Sequence, residues 1–275
     1  MAKKLIDKKI RSQIKGYLEG FIQGMIDEAK GNNFDPKELR PLRSSSKDGE
    51  LKPFHESLLP DGLLRIAEFE RSFSTKLGTT FEECARLLAA SVHKKAERGY
   101  RVQGAVTPEA IKRIEQIVSE VNNGGMKSKF PTYVREIVDL SKGDSRIERL
   151  SIADLYIETK AGEEWFFEMK SPKPNKGQCL EATGRFLQIH AICREKYSRI
   201  KTFYAMAYNP YGLKKEEYKH SFARNYMDLE NEVLIGKEFW DLVGGIGAYE
   251  EILAVYQEVG KEKGPNMLDQ LALGY

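Results

Sequence analysis

Asp154, Glu168 and Lys170 are charges set in a stretch otherwise rich in Ile, Leu, Trp and Phe, Arg149–Gln178, reading RLSIADLYIETKAGEEWFFEMKSPKPNKGQ. A charge placed in apolar strands is costly unless it is paired or holds a metal. Two acids with one lysine suit metal-assisted attack on a phosphate. Asp154 and Glu168 offer hard oxygens of the kind Mg²⁺ takes, with water and phosphate filling the rest of its sphere. A metal so held acidifies water and neutralises charge in the transition state. Lys170 is a compact cation that can orient the attacking water or stabilise developing charge. The plainer alternative makes Asp154–Lys170 a cross-strand ion pair and Glu168 a surface residue of an edge strand.

Strand periodicity tests whether these charges can meet. Alternation puts Phe166, Glu168 and Lys170 on one face of their strand, and Asp154, Tyr156 and Glu158 on one face of the strand before it. Lys160–Glu164 (KAGEE) has the chemistry of a tight hairpin, with Gly162 available for a positive φ. A two-residue loop would pair Leu155 with Glu168 and turn Asp154 to the wrong face. A three-residue loop, Ala161–Glu163, would pair Tyr156 with Glu168 and Asp154 with Lys170. The expectation is therefore an odd-length loop or a bulge.

The remaining elements must position that hairpin. Residues 3–29 read as a long amphipathic helix, with Leu5, Ile6, Ile10, Ile14, Leu18, Phe21, Ile22, Met25 and Ile26 at three-and-four spacing and lysines crowding its first half. That basic face either meets DNA or another subunit, or is simply solvated. Gly31–Gly62, rich in proline, reads as a linker or an irregular wrapping segment. Leu63–Asn123 reads as mainly helical, with Thr79 or Thr80 capping a helix whose first turn holds Glu82 and Glu83. A further helix starts at Thr107-Pro108-Glu109 and stops at Asn122–Gly125, before a basic loop at Lys127–Phe130. Gln178–Arg199 reads as a helix and Lys201–Tyr208 as a buried strand, followed by helices around Phe239-Trp240 and Tyr249–Val259. Phe222, Tyr226, Phe239 and Trp240 read as core, with a base-stacking platform as the alternative. The expected fold is α/β, a mixed central sheet flanked by helices, with a helical N-terminal region (1–62) and a catalytic domain (63–275).

An Asp followed by Glu-x-Lys on the next strand resembles the PD-(D/E)xK nuclease superfamily, with Ala153-Asp154 in place of the usual Pro-Asp. Glu70–Ala89 resembles the opening helix of restriction endonucleases of that superfamily, and EMKSPKPNKGQ followed by a helix is most similar to the TdeIII type. The resemblance covers roughly residues 63–210. It implies a restriction-endonuclease-like core, Mg²⁺ at Asp154 and Glu168, and Lys170 in catalysis. It makes Glu82 a supporting carboxylate at the metal site, with Glu83 as the fallback. It assigns Lys173, Asn175, Lys176 and Gln178, just past the catalytic lysine, to DNA recognition, because their donors can pair with bases. A solvated turn opening a helix is the alternative for that loop. The implied protein is a type II enzyme cutting a short palindrome in double-stranded DNA as a homodimer, at GGNCC or a CCGG-containing site, leaving a 5′-phosphate and a 3′-hydroxyl. A structure-selective or repair nuclease, or a non-catalytic nucleic-acid-binding protein, are the rivals.

Composition bounds these readings. Among 275 residues, 44 basic and 41 acidic side chains leave a net charge of only +3, so a DNA surface must come from local clustering. Cys84, Cys179 and Cys193 form no CxxC and suit reduced thiols in a cytoplasm. His55, His93, His190 and His220 make no zinc motif. No signal peptide or membrane span is expected.

Overall fold

The computed structural model describes residues 6–29, 37–41, 44–47, 49–126 and 129–272, the last seven as backbone alone. Parts of the expected N-terminal helix, linker and Lys127–Phe130 loop lie outside these residues. In chain order the elements are α1 (Lys8–Ala29), α2 (Pro53–Leu58), α3 (Asp61–Val92), β1 (Lys95–Val106), α4 (Pro108–Gly124), α5 (Phe130–Leu140), β2 (Ile147–Glu158) and β3 (Glu164–Met169). There follow α6 (Lys176–Ile192), β4 (Ile200–Met206), α7 (Ser221–Tyr226), β5 (Val233–Ile235), α8 (Lys237–Gly244) and α9 (Ala248–Ala272). The chain divides into two compact units, residues 1–10 with 81–252 and residues 11–80 with 253–275.

The first unit carries a five-stranded sheet in the order β1-β2-β3-β4-β5. β1–β2 and β2–β3 are antiparallel, whereas β3–β4 and β4–β5 are parallel. This is the mixed α/β sheet expected from a hairpin, a crossover helix and a buried strand. On one face Phe186, Leu187 and Ala191 of α6 pack with Ile117 and Val121 of α4 and Ile137 of α5. On the other, Phe167 meets Phe239 of α8, with ring centroids 5.9 Å apart, and Trp165 meets His93 at 5.1 Å. Phe239 and Trp240 are core, as expected; Phe222 is 40% exposed.

Several boundaries differ from the sequence reading. Thr79 and Thr80 start no helix: α3 runs through them, and their hydroxyls bond back to Lys76 O and Leu77 O. Leu63–Asn123 is mainly helical, as expected, but β1 interrupts it between α3 and α4. KAERGYRVQGAV has too few β-branched residues to signal a strand, and as an edge strand it needs only partial burial. The expected linker contains α2, and Gln178–Arg199 is α6 followed by a separate 3₁₀ turn at Arg194–Arg199.

In the second unit, the α1 residues Ile14, Leu18, Met25 and Ile26 are buried, and Phe21 packs on Phe73 at 5.6 Å. Lys15 and Arg11 bond Glu258 at 2.7 and 2.6 Å, so part of the basic stripe is neutralised inside the unit. Among the described residues no helix is long and apolar enough to cross a membrane.

Candidate active site

The β2–β3 hairpin sets the site's register. Thr159 N–H donates to Glu163 O at 2.9 Å, closing a three-residue loop at Lys160–Gly162. Gly162 holds φ +81°, the left-handed position that ends such a loop. The expected odd loop is therefore present, but two register places away. A loop at Ala161–Glu163 would have put Glu163 where the turn wants glycine. Tyr156 consequently pairs with Phe166, and Asp154 comes level with Glu168 rather than with Lys170.

Beyond Leu155↔Phe167 the β2–β3 ladder gives way to side-chain bonding. Met169 N–H donates to Asp154 Oδ2 at 2.7 Å, and Lys170 N–H turns to Ala205 O of β4 at 3.1 Å. Strand alternation breaks at the same place. Ala153 and Tyr156, an odd and an even position, both belong to the buried cluster that holds Phe166 and Ile189. In the β1 register, Arg98↔Leu155 and Tyr100↔Ala153 put Gly99 opposite Asp154, and Gly99 holds φ +59°. Only glycine adopts that conformation without cost.

Three charges converge at this break. Lys170 Nζ lies 2.9 Å from Glu168 Oε1 and 3.9 Å from Asp154 Oδ2. Glu168 is the enclosed member at 2% exposure, while Asp154 and Lys170 keep 23% and 34% of their side chains at the rim. Burial raises the Asp154 carboxyl above its ordinary value, and the charge of Glu82 adds to this against the Met169 N–H and Lys170. Burial and the neighbouring Asp154 charge raise Glu168 despite Lys170 and Arg185. For Lys170 burial works downward, but the bond to Glu168 and the charge of both acids win, and its pKa is raised.

Glu82 and Glu83, side by side on α3, are used differently. Glu82 is held by Arg98 of β1 at 2.7 Å, and its charge reaches Asp154. Glu83 is tied to Arg86 at 2.6 Å, with Arg98 at 3.5 Å.

The segment after Lys170 is pinned from below. Pro172 and Pro174 are buried while Lys173 and Asn175 between and after them are exposed. Tyr218 Oη donates to Pro172 O at 2.7 Å, and His220 Nε2 lies 2.8 Å from Pro174 O. Asn175 and Gln178 form a capping box at the start of α6, each side-chain oxygen accepting the other's backbone N–H at 2.9 Å. Each amide keeps its NH₂ as a donor, but bidentate adenine pairing needs the oxygen too. Lys173 and Lys176 rest over the rings of Tyr211 and Tyr226, at 5.7 and 4.7 Å.

Sequence reasoning missed Arg185 of α6, whose guanidinium bonds Glu168 Oε2 and, at 2.6 Å, Glu181 Oε1. The signal that could have found it was the i, i+4 pair Glu181–Arg185 on a helix following the site, together with the need of a buried acid for a second cation. Among the described residues no group of three or more His, Cys, Asp or Glu forms a ready metal cluster. The donor set is a carboxylate pair, Asp154 and Glu168. That suits Mg²⁺, which takes few protein ligands, and a dication would relieve the repulsion between two enclosed acids.

Residues 3–260 match the family model described as type II restriction endonuclease, HinfI. The chain is 44% identical over 233 residues to the type II restriction enzyme HgiEI of Herpetosiphon aurantiacus, covering 84% of this chain and 85% of that one. It is 43% identical over 231 residues to HgiBI of the same organism, covering 83% and 84%, and 40% identical over 236 residues to HgiCII, covering 84% and 85%. The chain belongs to the HinfI-type family of type II restriction endonucleases.

Proposed function

We propose that this endonuclease hydrolyses phosphodiesters with Mg²⁺ through a PD-(D/E)xK-type site, cutting both strands of a short palindrome as a symmetric homodimer. The convergence of Asp154, Glu168 and Lys170 at one break in the β2–β3 ladder carries this reading. Asp154 and Glu168 would hold the Mg²⁺, which supplies charge neutralisation and an acidified water. The Met169 N–H fixes the Asp154 carboxylate before substrate arrives. Lys170, kept protonated between the two acids, is placed to orient the attacking water and to steady the negative charge that grows on the phosphoryl oxygens. Glu82 would support the metal site by adding negative charge beside Asp154, a charge that already raises the Asp154 carboxyl without metal.

Lys173, Asn175, Lys176 and Gln178 form the proposed recognition segment, held beside the scissile phosphate by the buried prolines. A two-fold protein matches a palindrome with one centre per strand. The likeness of EMKSPKPNKGQ to the TdeIII type favours GGNCC, with CCGG-containing sites as the competing target. Digestion of long DNA of known sequence with Mg²⁺, followed by mapping of the ends, tests this. Discrete fragments with 5′-phosphates at one short palindrome are expected. A structure-dependent pattern would favour a repair nuclease, and no cleavage in any divalent metal would leave only binding.

A further inference from the structure

Glu168 is the most enclosed charge of the centre, and cations occupy both its oxygens. Oε1 takes Lys170 at 2.9 Å, and Oε2 takes the Arg185 guanidinium. A hard dication cannot share a nearly buried carboxylate with two positive neighbours without strong repulsion. Lys170 lies between both acids and has its own place near the phosphate. Arg185 has an alternative partner. Its other nitrogen already bonds Glu181, whose side chain is 62% exposed, and 26% of the Arg185 side chain itself reaches solvent. α6 need not move for the exchange, because Gln188, one turn on, is tied to Ser151 Oγ at 2.8 Å and Leu150 O at 3.1 Å.

We propose that Arg185 is a positioning residue that clamps Glu168 in the metal-free protein and yields Oε2 to the divalent cation, turning toward Glu181 and the DNA phosphates. This rests on the reading that Asp154 and Glu168 hold the metal. Arg185 thereby keeps a buried acid in place without metal and sets how tightly metal binds before DNA does.

The test uses Ca²⁺ alone, without DNA, measured by titration calorimetry and by thermal midpoints in EDTA and in Ca²⁺. Arg185→Ala should bind Ca²⁺ roughly tenfold tighter, the scale of one pairwise coupling. Its midpoint should fall in EDTA and recover in Ca²⁺. Arg185→Lys, a milder change, should tighten binding less, and Glu181→Gln should weaken it by withdrawing the alternative partner. Equal or weaker Ca²⁺ binding by Arg185→Ala, with the same midpoint loss in EDTA and Ca²⁺, would reduce Arg185 to a structural ion pair and overturn the proposal. If Arg185→Ala does not fold, unchanged affinity in both Arg185→Lys and Glu181→Gln overturns it equally. Wild-type protein with no Ca²⁺ response, or a response that survives in Glu168→Gln and Asp154→Asn, would instead overturn the metal assignment and this inference with it.

Discussion

Two buried glutamates in the same unit, Glu168 and Glu232, differ in the charges that surround them. Glu168, at 2% exposure, faces Lys170 and Arg185 and stands level with Asp154. Glu232, at 0%, precedes β5 and accepts only the Asp228 N–H at 3.1 Å on Oε1. Its Oε2 meets no hydrogen-bond partner among the described residues. Burial raises both acids, and Glu232 well above the ordinary carboxyl value. Burial alone therefore favours the neutral form of an acid. The centre proposed at Glu168 adds cations beside the acid and a second carboxylate at a partly open rim.

The largest effects should follow from taking that rim apart. Asp154→Ala and Lys170→Ala should each lower single-turnover cleavage by about a thousandfold or more, the scale of the several kcal/mol that metal-centred charge stabilisation supplies. Their circular dichroism should remain that of the wild type. Cleavage near wild-type rates in either variant would move the centre elsewhere.

Glu82 and Glu83 repeat the comparison at smaller scale. Glu82→Ala should slow cleavage by about tenfold, because its charge reaches Asp154. Glu83→Ala should leave the rate almost unchanged, since Glu83 is committed to Arg86 and Arg98. The reverse ranking in steady-state rates would exchange their roles.

Lys173 and Lys176 sharpen the recognition reading. If either lysine reads a base, its Ala variant should discriminate less between cognate and scrambled duplexes, by about 1–3 kcal/mol measured in Ca²⁺. If it meets only phosphate, the variant should bind both duplexes more weakly alike and lower the salt slope by about one. Asn175→Ala should also loosen α6 by about 1 kcal/mol, because it opens the capping box. Uniform losses across all variants would move base reading off this loop.

A smaller effect is expected in the pH dependence of metal-free stability. Folding raises the Glu168 carboxyl, so the folded state binds its proton more tightly than the unfolded state. That contribution is complete below the ordinary carboxyl value, about 4, and is lost as pH rises through the folded value. The melting midpoint of wild type relative to Glu168→Gln should therefore decline above pH 4 in EDTA. A difference that rises with pH would mean that Lys170 and Arg185 more than offset burial.

The convergence of Asp154, Glu168 and Lys170 was legible because charge inside an apolar strand run is anomalous wherever it occurs. Loop parity was legible too, but the register was not, since it hung on which loop position Gly162 filled. β1 was hidden because an edge strand rich in Lys, Glu and Arg resembles a surface helix or loop. Arg185 was hidden because its partner lies on a strand, and sequence spacing says nothing about how α6 lies across the sheet. Glu232 was hidden for the opposite reason: DLENEV looks like a polar surface turn, yet packing buries it.

The most direct test sets Glu168→Gln beside Glu232→Gln in one Mg²⁺-dependent cleavage assay, with duplex binding measured in Ca²⁺ and folding checked by thermal melting. Both substitutions keep side-chain size and remove the ability to ionise. Glu232→Gln should fold, bind and cut like the wild type, because burial favours the neutral form of its acid and no cation or second carboxylate of the centre meets it among the described residues. Glu168→Gln should fold and retain duplex binding but lose cleavage by about a thousandfold or more. Full cleavage by Glu168→Gln, or loss of cleavage confined to a folded Glu232→Gln, would contradict the account.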